Sequence, residues 1–191
     1  MKRAAWIGLI IIIVAGAAFF IFRRPSIPNI STSSMDKLIY SNSKYGFSFS
    51  YPPDYTITER TDSPEHSIIL SRKDDPPAPV ASEGYPTITV QIIPNPTSTA
   101  LLEWLAENPN YSNYSLPSVS PYALPGTVAA TTTVGGTTTP ALLYYWSGEV
   151  EGENIAFALY GNIIIFSGTY NNQSDPIKKD FDLLIKSITI P

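Results

Sequence analysis

The sequence predicts an α+β fold, a mainly antiparallel β-sheet flanked by helices, preceded by one transmembrane helix. Three observations carry this prediction. An unbroken apolar run opens the chain. Short stretches alternating at period two recur from Phe47 to Tyr170, divided by turn residues. Two further stretches, near 101–105 and 177–188, place apolar residues at helical spacing.

Ala4 to Phe22 read AAWIGLIIIIVAGAAFFIF, with no charged side chain. At about 1.5 Å per residue this run spans about 28 Å, close to the hydrocarbon thickness of a bilayer. Lys2, Arg3, Arg23 and Arg24 flank it and would place their charges among headgroups. Ala15-Gly16-Ala17 matches the small-x-small pattern of a cleaved signal peptide. The apolar run continues past it to two arginines, however, which favours a retained anchor. The amino terminus with Lys2 and Arg3 outweighs Arg23 and Arg24, so a cytoplasmic N-terminus and an extracytoplasmic domain are expected, in a prokaryotic cell membrane. The organisation read from this is an anchor over 1–24, a flexible Pro- and Ser-rich linker over 25–38, and a folded domain over 39–191.

Eight basic and all sixteen acidic residues follow residue 24, a formal charge of −8 on that part. Such a surface repels phosphate backbones, so no nucleic-acid partner is expected. There is no cysteine, which excludes disulfides, thiolate metal sites and cysteine nucleophiles.

The strands follow in order. Phe47, Phe49 and Tyr51 alternate with Ser48 and Ser50, and Pro52-Pro53-Asp54 turns the chain into 55–60. Further strands are read at 67–72 and around Ile88, Val90 and Ile92, with a Pro- and Asp-rich loop between them. Thr99 is the expected cap of a helix carrying Leu101, Leu102, Trp104 and Leu105, ended by Asn108-Pro109. Residues 110–126 read as irregular. Strands at 128–134 and 141–146 flank Gly135-Gly136, and 147–154 reads as a turn carrying Glu149, Glu151 and Glu153. Strands 155–160 and 163–170 flank Gly161-Asn162, read as a type II′ turn. These two are apolar on both faces, so they are expected at the centre of the sheet, covered by the two helices. Asp175 caps the last helix, with Pro176 at its first position and Ile177, Phe181, Leu184, Ile185 and Ile188 along one face.

Tyr45-Gly46-Phe47-Ser48-Phe49-Ser50-Tyr51-Pro52, an aromatic strand entering a proline turn, resembles the opening of PsbP-like domains. The close of the chain, a strand like 163–170 followed by a helix and a short end like 181–190, resembles theirs too. The resemblance covers both ends of the folded part and implies an α-β-α sandwich. It implies no catalytic residues, and the sequence itself carries no cofactor signature, so no cofactor is expected. The best-known members assist a photosynthetic complex and lack such an anchor.

His66 is the only histidine and sits in a polar turn before a strand. Ser41-Asn42-Ser43-Lys44 has the Ser-x-x-Lys spacing of penicillin-interacting enzymes, but without the two companion motifs it is read as coincidence. Asp74 with Asp75, and Glu149, Glu151 and Glu153, lack calcium-loop spacing. The alternating glutamates read as a soluble hairpin edge that discourages sheet-to-sheet pairing. Tyr111, Tyr114 and Tyr122 form a polar-aromatic group suited to a partner protein or a glycan, unless they pack back on the sheet. The function expected is therefore a membrane-tethered, extracytoplasmic, non-enzymatic binding or accessory module. The alternatives are a cell-envelope hydrolase with an unrecognised carboxylate pair, and a stalk or subunit of a membrane complex.

Overall fold

A computed structural model describes residues 37–61, 65–75, 86–112, 114, 130–134, 139–147 and 150–191. The anchor over 4–22 lies outside the described residues. Among those described, no helix is long and apolar enough to cross a membrane.

Nine strands and three helices follow one another in the described chain. They are β1 (Leu38–Asn42), β2 (Phe47–Tyr51), β3 (Tyr55–Arg60), β4 (His66–Arg72), β5 (Thr87–Pro94), α1 (Leu101–Glu107) and α2 (Pro109–Ser112), then β6 (Ala130–Val134), β7 (Thr139–Ser147), β8 (Glu151–Leu159), β9 (Asn162–Tyr170) and α3 (Pro176–Ser187). Seven strands form one sheet in the order β3-β4-β5-β9-β8-β7-β6, each neighbouring pair antiparallel. β1 and β2 form a separate hairpin. As the two-faced apolar pattern predicts, β9 and β8 are interior strands, buried along most of their length.

The sheet has two differently covered faces. On the first, Ile88, Val90 and Ile92 of β5, Ile155 and Phe157 of β8, and Ile164 and Phe166 of β9 meet Phe47 and Phe49 of the hairpin and Ile177, Phe181 and Leu184 of α3. The Phe166 ring lies edge-on to Phe47 and Phe49 and stacks with Phe157. Each such ring removed from water contributes about 1.5–3 kcal/mol. After α3 the chain runs extended, and Thr189 exchanges two 2.9 Å backbone hydrogen bonds with Ser48 of β2. The two ends of the folded part thus close over this face together. Helices alone were expected to cover the sheet, whereas here the hairpin supplies part of the cover. The alternation of Phe47 and Phe49 with Ser48 and Ser50 is that of a two-stranded ribbon packing one face onto the sheet.

The second face is covered by α1 and α2: Trp104 and Leu105 pack on Ile93, Tyr144, Ala156, Ile163 and Ile165.

Several local expectations change. Thr99 does not cap α1. Ala100 occupies that position without a side-chain cap, and the Asn95 amide instead holds the entry, accepting from Thr99 N at 3.2 Å and donating to Thr99 O at 2.9 Å. Residues 109–112 are helical rather than irregular, since Pro109 starts a helix readily even where it ends another. The turn read over 147–154 is shorter: β7 reaches Ser147 and β8 starts at Glu151. Leu159 pairs with Asn162, so the β8–β9 loop is Tyr160-Gly161, not Gly161-Asn162. Positive φ at both loop residues, 47° and 73°, is the type I′ signature in place of II′. The cap on α3 is as expected, Asp175 Oδ1 accepting from Ile177 N at 3.0 Å ahead of Pro176.

Candidate functional site

One end of the sheet gathers polar and aromatic side chains from separate elements. There β3 finishes, β4 begins, and the β1–β2 turn lies alongside. His66 opens β4 with Nε2 2.8 Å from Glu59 Oε2, and its ring meets Tyr45 edge-on at 5.5 Å. The other oxygen of Glu59 accepts from the Tyr40 hydroxyl at 3.1 Å. Asn42 completes the chain of contacts, donating to the Tyr40 oxygen at 3.0 Å and accepting from Tyr45 N at 3.2 Å. Lys44 Nζ lies 4.8 Å from the Tyr45 ring centre. Burial, with the Glu59 charge adding to it, pushes the Tyr40 hydroxyl up to about 12 and keeps it a donor. Pairing positions these groups: β3 and β4 are registered with Glu59 opposite Ile68, which puts Glu59 beside His66 on the same face.

His66 is therefore no bare turn histidine. It is mostly buried and held by a carboxylate that is itself fixed by a tyrosine. Such a network can hold a ligand bearing hydroxyl or amide groups, since it presents charged and neutral hydrogen-bonding atoms together. Among the described residues, no three His, Cys, Asp or Glu side chains converge as metal ligands would.

The tyrosines singled out in the sequence lie elsewhere in part. Tyr111 stacks on Trp104 at 6.4 Å, and Tyr114 meets Tyr144 edge-on at 5.2 Å, so both rings are packed on the second face. A hydrogen bond to Glu65 raises the Tyr111 hydroxyl pKa. Tyr122 lies outside the described residues. Ser112, behind these rings, is a buried junction: its carbonyl accepts from Tyr144 Oη at 2.7 Å and Asn154 Nδ2 at 3.2 Å.

The glutamate reading needs correction. Glu149 lies outside the described residues, but Glu153 is on an interior strand and only 6% exposed. It is no soluble edge, because Lys178 of α3 lies 2.7 Å away and also contacts Asp182 at 2.6 Å. Burial alone would lower the Lys178 pKa, yet its close contacts with the Asp182 and Glu153 carboxylates win and raise it. The Glu153 oxygen meets Nζ off hydrogen-bonding angles, so the contact is an ion pair tying α3 to β8. A similar tie joins α3 to β3, where the Tyr55 hydroxyl donates to Asp180 Oδ2 at 2.9 Å.

A similar fold is found in a solved protein. Cyanobacterial PsbP (CyanoP) from Synechocystis sp. superposes with a TM-score of 0.52 over 84% of this chain and 96% of that one. The chain has a PsbP-like fold. Sequence identity between the two is 16%, so the likeness is one of fold and carries no residue role across. No family model and no curated protein matches the sequence. The PsbP-like arrangement also accounts for where the sequence resemblance lies. Tyr45 to Pro52 and the segment after residue 163 meet in space, joined by the Ser48–Thr189 bridge.

Proposed function

We propose that the chain is a membrane-tethered, extracytoplasmic, non-enzymatic binding or accessory module, with the PsbP-like domain displayed on the anchor of residues 1–24. One observation carries the binding role. Side chains of β1, the β1–β2 turn, β3 and β4 converge in the Tyr40–Glu59–His66–Tyr45 network at one end of the sheet. Among the described residues, the ion pairs of Glu153 with Lys178 and of Arg72 with Asp54 tie neighbouring elements together, and that of Lys178 with Asp182 lies within α3. The charge-free run from Ala4 to Phe22 and its flanking arginines support the tether.

Membranes carrying the full chain test the tether and the location. The chain is expected to stay in the pellet after alkaline carbonate washing, and to be cleaved by protease added outside intact cells. Release into the wash, or protection from external protease, would contradict the proposal. Crosslinking in intact cells then tests the site. Adducts are expected to weaken in His66→Ala and Glu59→Gln, and unchanged adducts in both would remove this end of the sheet from the binding role.

A further inference from the structure

The β8–β9 tip breaks two local rules at once. Tyr160 has φ 47°, the left-handed region that Asn, Asp or Gly adopts at least cost and that an aromatic residue rarely occupies. Burial does not compensate, because the side chain is 69% exposed. The Cδ2–Cε2 side of its ring rests on Gly46 of the β1–β2 turn, where an added Cβ would come within 2.5 Å of Cε2. Gly46 itself has φ 71°, so both turns are shaped to admit this contact.

The tip is also held still. Gly161 O accepts from Asn95 N at 2.8 Å, and Tyr160 O accepts from Asn162 Nδ2 at 3.0 Å. Strain kept at an exposed, over-determined position points to use rather than to packing. A rigid exposed tyrosine offers a flat apolar surface and a hydroxyl with little entropy left to lose.

We propose that Tyr160 is a stacking platform for a neutral carbohydrate, with the polar groups of the adjoining β1–β2 turn meeting the sugar hydroxyls. This names the ligand class of the site proposed above and rests on reading the domain as a binding module. A pyranose ring has an apolar C–H face to lay on the tyrosine and a rim of hydroxyls that donate and accept. The acidic surface, −8 beyond residue 24, repels polyanionic chains. A cationic ligand is disfavoured by Lys44, whose ammonium already lies over the neighbouring Tyr45.

The full chain in a polyoxyethylene detergent, free of sugar and choline headgroups, is titrated calorimetrically with chitohexaose and with cellohexaose. Tetramethylammonium and polygalacturonate serve as the cationic and anionic comparisons. Wild type and Tyr160→Phe are expected to bind at least one neutral hexasaccharide in preference to both comparisons. Tyr160→Asn is expected to bind it about tenfold more weakly or worse, while melting at a higher temperature because asparagine suits the left-handed turn. Undiminished binding by Tyr160→Asn, preference for either charged probe, or no binding of either hexasaccharide by wild type would overturn the proposal. So would loss of binding together with a lowered melting temperature, which would make the ring structural. Carbonate and protease readouts do not involve Tyr160, so the tether and the platform can fail separately.

Discussion

The two faces of the sheet are covered by different means. The first is closed by the β1–β2 hairpin and α3, which come from opposite ends of the folded part, over a continuous layer of phenylalanine and isoleucine. The second is closed by α1 and α2, short and contiguous in sequence, over a smaller apolar cluster with a polar junction at Ser112. Long-range cover brings a large apolar area and fixes the topology. Local cover depends more on individual hydrogen bonds, with Tyr144 and Asn154 both donating to the one carbonyl of Ser112. Strength is expected to lie with the first face and adaptability with the second.

The comparison breaks most visibly at the shared centre of the first face. Phe166→Ala removes a ring touching three others and is expected to cost about 3–5 kcal/mol in urea unfolding. A loss below about 1 kcal/mol would mean that the hairpin is not seated on it. Lys178→Met leaves the buried Glu153 carboxylate without its cation and is expected to cost about 3 kcal/mol, with much of it restored by adding Glu153→Gln. On the second face, Tyr144→Phe removes the hydrogen bond to Ser112 O for about 1 kcal/mol, measured the same way.

The smallest effect is one of pH. Burial raises the Asp180 pKa above its ordinary 3.8, against the opposing hydrogen bond from Tyr55. A carboxyl whose folded pKa is raised contributes stability that is fully present below the unfolded value and is lost as pH rises through the folded one. Asp180→Asn keeps an acceptor for Tyr55 and removes this loss. The melting temperature of the variant relative to wild type should therefore climb as pH rises from about 3.8 towards neutrality. A flat difference would show that burial does not raise the Asp180 pKa.

Regular alternation and capping made much of this architecture legible in the sequence. Ile88, Val90 and Ile92 sit on the first face as their spacing requires, and Asp175-Pro176 starts α3. Four features were hidden, because local spacing does not show which groups a side chain or backbone will meet. Glu151 and Glu153 read as a turn because acidic residues favour exposure, whereas Lys178, remote in sequence, makes burial of Glu153 tolerable. Ala100 took the cap position from Thr99 because Asn95 had already engaged the Thr99 backbone. Tyr160 could not be foreseen in a left-handed conformation, since its neighbour Gly161 offered the more usual place for one. Glu59 as the partner of His66 was likewise invisible, since the two lie seven positions apart on different strands.

Hydrogen exchange of the full chain in detergent tests most directly the claim that the two chain ends close one face as a unit. Amides of β2, Thr189 and α3 should exchange only through global unfolding and respond together to denaturant, while those of α1 and α2 open locally at lower free energy. Faster exchange in β2 and α3 than in α1 and α2 would contradict it.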